Sequence, residues 1–191
     1  MKNLSRLLIP LMVLLTTPQP SNAQEQDPPE KTWRTTIGTC AMYPHETELK
    51  NFFGSYFGIQ AETQKNINKD FSIAVNGTLG LSNKTKGGYT CKANIKEMAA
   101  LGQYSLGTEK SRFTIGIGPK ISLMKLTAKD SGGNSGSEKY SGLGYFLQMK
   151  YSTKVGDKLA LFAKFGYSDI KCSEYENFNL GTTNVAVGLE F

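Results

Sequence analysis

No stretch of this chain is long and apolar enough to cross a bilayer as a helix. The one sustained apolar run, Leu7 to Leu15, falls well short of the roughly 20 residues such a helix needs, which excludes helical membrane architectures. Histidine occurs once, at His45, and the three cysteines, Cys40, Cys91 and Cys172, match no zinc-ligand spacing. Beyond residue 31, proline appears only at Pro44 and Pro119. Lys and Arg total 22 against 16 Asp and Glu, but they form no basic run and no nucleic-acid-binding motif. No nucleic-acid partner, metal or cofactor is therefore expected. Gly116-Ile117-Gly118 lacks the third glycine and the following helix of a dinucleotide loop, so it reads as strand packing. With 191 residues, one domain is the expectation.

What is present begins with an export pattern. Lys2 and Arg6 precede the short apolar run, and Ser21-Asn22-Ala23 supplies a small-x-small end, so residues 1–23 read as a cleaved signal peptide. Its removal takes away those two cations and lowers the formal charge from +6 to +4. Residues 24–31 (QEQDPPEK) read as a polar linker, and 32–191 as the folded domain. In an oxidising compartment a Cys91–Cys172 disulfide would tie two loops together, whereas three unlinked thiols are the alternative.

From Thr32 onward the chain alternates in period two. In the last segment Gly181, Thr183, Val185, Val187, Leu189 and Phe191 share one face, while Thr182, Asn184, Ala186, Gly188 and Glu190 share the other. The same split runs back through Leu159–Tyr167, Leu143–Tyr151, Phe113–Leu123, Phe71–Leu81, Phe53–Ala61 and Trp33–Tyr43. Residues 94–106 fit either parity, or a helix. Connections near 65–69, 107–110 and 155–158 are tight. Those near 44–51, 83–92, 129–139 and 171–179 are open. Four open and three tight connections join eight antiparallel strands with both chain ends on the tight side. The expected fold is all-β: a closed, up-and-down transmembrane β-barrel.

In lipid only a closed sheet satisfies every backbone group, so the bulky parity should face acyl chains and the other parity a narrow lumen. An eight-stranded lumen is just wide enough for side chains to fill it. The charges on that parity, Arg34, Glu62, Lys120, Lys150, Lys164 and Glu190, should then pair into a plug. Two aromatic girdles are expected: Trp33, Phe71, Phe113, Tyr151 and Phe191 at the tight-turn end, Tyr43, Phe53 and Tyr167 at the open-loop end. Pro119 removes a ladder donor within a central strand, and a bulge beside Gly118 is the expected repair.

Asn184 to Phe191 (NVAVGLEF) resembles the C-terminal assembly signal of small eight-stranded outer-membrane proteins, the group that includes the OmpA transmembrane domain and the OmpX/Ail-like proteins. The matching positions are polar Asn184, apolar Leu189 and aromatic Phe191, with Ala186 where glycine is usual. The resemblance implies residence in a Gram-negative outer membrane and contact with its lipid and lipopolysaccharide. It further implies delivery by the barrel-assembly machinery, and a non-enzymatic anchor whose surface loops meet an extracellular protein ligand. Two other readings stand beside it: binding or passage of a small molecule through the lumen, and lipid modification centred on His45. A soluble barrel with its apolar parity turned inward is the structural alternative.

Overall fold

The computed structural model describes residues 33–108, 110–175 and 177–191; the signal peptide and linker expected over 1–31 lie outside them. Eight strands follow in chain order: β1 Trp33–Pro44, β2 Tyr56–Asn66, β3 Phe71–Lys86, β4 Tyr89–Gly107, β5 Ser111–Lys129, β6 Ser135–Lys154, β7 Ala160–Cys172 and β8 Thr182–Glu190. Each pairs antiparallel with the next. β1 also pairs with β8, from Thr36↔Glu190 to Pro44↔Thr182, which closes the sheet into an up-and-down barrel. Closure leaves no strand edge within the barrel wall, as a bilayer demands.

The two faces are inverted relative to a soluble protein. Among the described residues 21 polar or charged side chains are buried against 18 apolar ones, while Ile37, Ile73, Val75, Leu79, Ile117, Leu147, Val185 and Val187 stand exposed around the outside. This decides against the soluble alternative, since an apolar band that wide has no place in water. Trp33, Phe71, Phe113, Tyr151 and Phe191 lie outward near the tight turns, and Tyr43 and Tyr167 outward near the other end.

Four expectations are corrected. Phe53 is in no strand and no girdle: Thr47–Phe53 form a short helix, α1, which ends at Gly54 in a positive-φ conformation. Its Leu49 and Phe53, four residues apart, are both buried, the spacing that puts two side chains on one helical face. The segments at 83–92 and 129–139 are not open loops. β3 and β4 continue to Lys86↔Tyr89 around Gly87-Gly88, both at positive φ, and β5 and β6 continue to Lys129↔Ser135. Two successive left-handed residues match the twist of a hairpin, which is why the strands persist to its tip.

The bulge at Gly118 is absent. The β4–β5 register is the same on either side of Pro119, at Ala99↔Lys120 and Gly102↔Ile117, and pairing to β4 merely lapses at the intervening rungs. The missing proline N–H costs rungs and no shift. Residues 94–106, ambiguous in sequence, are strand, with Ile95, Glu97, Ala99, Leu101, Gln103 and Ser105 inward.

Strand length is uneven. β2 stops pairing with β3 at Phe57↔Leu81 and β7 with β6 at Gly142↔Cys172, yet β3 to β6 run on together. About 9–11 residues suffice to span a bilayer, so the 16 to 20 residues of β3–β6 project a four-stranded sheet beyond the open-loop rim.

Candidate functional site

The lower lumen is a charged network centred on Glu62 of β2, whose residue is 1% exposed. Its Oε1 accepts from Lys150 Nζ (3.1 Å) and Gln103 Nε2 (3.1 Å), and its Oε2 from Gln148 Nε2 (2.9 Å) and Lys164 Nζ (3.3 Å). Lys150 also donates to Gln64 Oε1 (2.9 Å) and meets Glu190 Oε2 at 3.2 Å. Glu190 in turn holds Arg34 Nη1 at 3.4 Å. Around the wall, Lys120 Nζ lies 2.7 Å from Glu97 Oε2 and 4.4 Å from the centroid of the Phe146 ring. The alternation of each strand delivers these groups, because lumen positions recur every second residue.

The structure thus brings all six lumen charges read from the sequence into ion pairs, and adds a seventh. Glu97 was missed because its segment fits both parities. One signal points to it: Arg34, Lys120, Lys150 and Lys164 face only Glu62 and Glu190 in the sequence reading, and a dry lumen cannot hold that surplus of cations without another carboxylate.

The upper lumen is apolar instead. Met42, Tyr56, Ile95, Met124, Phe162 and Ile170 pack with Cys40 and Cys172, and α1 lays Leu49 and Phe53 onto them. Leu180 and Phe178, from the β7–β8 connection, join the same cluster. Space is taken up closely: a Cβ at Gly80 would stand 2.8 Å from Met42 Sδ.

The cap is pinned by hydrogen bonds. Asn179 donates its backbone N–H to Glu46 Oε2 (3.2 Å) and its Nδ2 to Asp169 Oδ1 (2.6 Å), and its Oδ1 accepts from Gly181 N (2.6 Å). Glu174 accepts from Ser141 N (2.9 Å) and Ser141 Oγ (2.7 Å), and these bonds hold its carboxyl down at about 2.

The three cysteines are all free thiols. The Cys91–Cys172 bond is not formed. β4 and β7 are not neighbours in the wall, and Cys172 Sγ donates to Glu174 Oε2 at 3.1 Å instead.

His45 lies between β1 and α1. Its Nε2 is 3.0 Å from Thr183 Oγ1, and its ring stacks on Tyr167 with centroids 4.8 Å apart. Partial burial lowers its pKa from the ordinary value. A neutral imidazole beside a hydroxyl is the start of a nucleophilic pair, but a carboxylate bonded to its other nitrogen is needed to orient it, and no such bond occurs among the described residues. Of the C-terminal motif, Asn184 and Ala186 are buried on the lumen side, whereas Leu189 and Phe191 face outward.

A closed eight-stranded barrel of this kind is found again among solved structures. This is the fold of the small outer-membrane barrels. Neisserial surface protein A matches with a TM-score of 0.58 at 17% identity, covering 83% of this chain and 96% of that one. Ail, the attachment invasion locus protein of Yersinia pestis, matches at 0.57 and 13%, covering 83% and 97%. A major outer membrane protein from Thermus thermophilus matches at 0.59 and 12%, covering 82% and 98%. At such identities the likeness is one of fold. No family model matches the chain, and no curated protein matches it in sequence.

Proposed function

We propose that the chain is exported by residues 1–23 and resides in a bacterial outer membrane, with 32–191 as its barrel domain. There it acts as a non-enzymatic anchor that presents its open-loop side to the exterior. One observation carries this reading: the outward wall is greasy enough to need lipid, while buried side chains crowd the lumen, ion pairs with a small apolar cluster below and a larger apolar cluster above. A crowded lumen leaves the projecting sheet and the cap as the surfaces available to a partner, and loops on a rigid scaffold are where binding is commonly carried. That Ail has been crystallised with the heparin analogue sucrose octasulfate supports an external ligand for a barrel of this shape. The C-terminal strand, ending in outward Leu189 and Phe191, suits recognition by the barrel-assembly machinery.

The test is fractionation with conductance. The mature protein should partition with outer membranes and migrate faster on a gel before boiling than after. In planar bilayers it should give no stable channel. Recovery from the soluble periplasm would overturn the membrane reading, and a well-resolved channel of constant size would overturn the plugged anchor. An acyl-hydrolase or acyl-transferase activity lost on His45→Asn would replace the anchor with the enzyme.

A further inference from the structure

Three aromatic rings meet above the cap, where β6 runs past the end of its pairing with β7 at Gly142. Tyr140 lies on the inner face of β6, opposite Met124, and contacts Phe178 and Tyr175 of the β7–β8 connection. The centroids of Tyr140 and Phe178 are 5.4 Å apart in a stacked pair. Tyr175 stands 5.8 Å from the first and 6.5 Å from the second, inclined by 40° and 60°, so the three rings form a corner. Tyr140 and Phe178 are half-buried against the apolar cluster beneath, whereas Tyr175 is 55% exposed. Two carboxylates flank the corner. Glu138, the next inner-face residue along β6, accepts from Tyr140 Oη. Glu174, beside Tyr175 in the chain, accepts from Ser141 N, Ser141 Oγ and Cys172 Sγ, and these bonds keep it ionised. The lysines on the same face of the projecting sheet, Lys84 and Lys86, belong to β3, three strands and about 14 Å across the sheet from β6.

We propose that this aromatic corner, with Glu138 and Glu174 at its sides, binds a free quaternary ammonium cation of the choline type. The inference rests on the outward orientation of the open-loop side given above, and it names the chemistry of a ligand for that side. A cation is attracted to an aromatic ring within about 6 Å of its centroid, and with these ring spacings a point about 4–5 Å above the triad satisfies that limit for all three. The two carboxylates supply charge of the matching sign. Their hydrogen bonding selects the kind of cation. Three donors already occupy Glu174 and the Tyr140 phenol occupies Glu138, while ring faces accept no strong hydrogen bond. A primary ammonium brings three N–H donors, and seating it here would strip water from them without full replacement. A trimethylammonium group has no N–H to satisfy, and its methyl groups pack on the rings. A phosphate joined to that cation would face Glu138 and Glu174, so the free cation suits the corner better than a zwitterionic lipid headgroup.

The full mature chain, refolded in octyl glucoside, is titrated by calorimetry with choline, its uncharged tert-butyl isostere, ethanolamine and glycerophosphocholine. Heat-modifiable migration verifies that each variant has closed its barrel. Choline should bind, and the other three should bind about tenfold more weakly or less. Tyr175→Ala should weaken choline binding about fivefold, whereas Tyr175→Phe, which keeps the ring, should match the wild type. Glu138→Gln removes one flanking charge and should also cost about fivefold. Tyr89→Ala, an exposed ring on the same sheet that makes no contact with the triad, should leave binding unchanged.

Equal binding of choline and its uncharged isostere, or undiminished binding in Tyr175→Ala, would overturn the proposal. So would tighter binding of glycerophosphocholine than of choline, or no response to choline from a closed barrel. Recovery of the protein from the soluble periplasm would sink the outer-membrane reading itself, a result distinct from a closed barrel in detergent that ignores choline.

Discussion

Replacing Glu62 by Gln keeps the shape of the side chain and removes the charge that two buried ammonium groups share. Whichever way the new amide turns, its NH2 meets donors. At the Oε2 position it confronts Lys164 and Gln148, and at the Oε1 position Lys150 and Gln103. Lys150 retains Glu190 at 3.2 Å and Gln64 at 2.9 Å. Lys164 has no second carboxylate at salt-bridge distance among the described residues, so its charge is left uncompensated. Breaking one partner of a buried pair costs about 3–5 kcal/mol, and that is the expected loss for Glu62→Gln. Adding Lys164→Met removes the orphaned cation. The double variant should therefore be more stable than the single one, with a coupling of about 1–3 kcal/mol. Equilibrium urea unfolding from lipid vesicles measures both, followed by the fluorescence of Trp33, the only tryptophan, on the outward face. A Glu62→Gln barrel within about 1 kcal/mol of wild type would refute the reasoning, because it would mean that water and not protein solvates the lumen charges.

On the outer wall, Val75 sits midway along the apolar run of β3, 55% exposed. Val75→Lys should cost about 2–4 kcal/mol in vesicles, read by the same urea titration, and a neutral outcome would contradict lipid contact there. Phe53→Ala empties the apolar cap and should cost about 3–5 kcal/mol if α1 is packed as core. Its companion readout is proteolysis of the β1–β2 connection, which should become accessible. The lowered pKa of His45 means that the folded barrel disfavours the imidazolium. Stability is therefore undiminished above the ordinary histidine pKa and falls as the pH drops from there toward the folded-state value. His45→Asn should flatten that limb of the pH–stability profile, and an unchanged profile would place the acid sensitivity elsewhere.

How far the sequence could be read follows from what period two encodes. Alternation carried the strand count, the closed topology, and which parity meets lipid, since one unbroken periodicity settles every residue of a strand together. It says nothing where both parities are mixed. Residues 94–106 place Ile95 and Glu97 on one face, Lys96 and Met98 on the other, and only pairing with flanking strands orients them. Helix α1 was hidden because Leu49 and Phe53, at helical spacing, abut Phe57 and Ile59, at strand spacing, and a seven-residue helix is too short to establish its own period. The apolar upper lumen was hidden for a related reason. Met42, Ile95, Met124 and Ile170 occupy lumen parity on separate strands, and no one segment reveals that they meet.

The charged half of the lumen does more for specificity than for stability. Replacing buried ion pairs by well-packed apolar residues is often neutral or favourable, so four cations and three carboxylates are not the most stabilising way to fill a narrow cylinder. In a sheet that is greasy on both faces, however, slipping one strand by one residue would exchange lumen and lipid faces at little cost. Here the same slip would carry Lys120, Lys150 or Lys164 into the acyl chains, at about 2–4 kcal/mol for each lysine near the midplane. It would also leave Glu62 or Glu97 without a partner. The penalty grows with every strand that carries a lumen charge, and β1, β2, β4, β5, β6, β7 and β8 each carry one. β3 is the exception. Its inward side chains, Ser72, Ala74, Asn76 and Thr78, are small and uncharged, so its register rests on pairing with β2 and β4. Register errors during refolding should therefore concentrate at β3, a pattern that hydrogen exchange on the freshly refolded barrel would expose as reduced protection from Ser72 to Thr78.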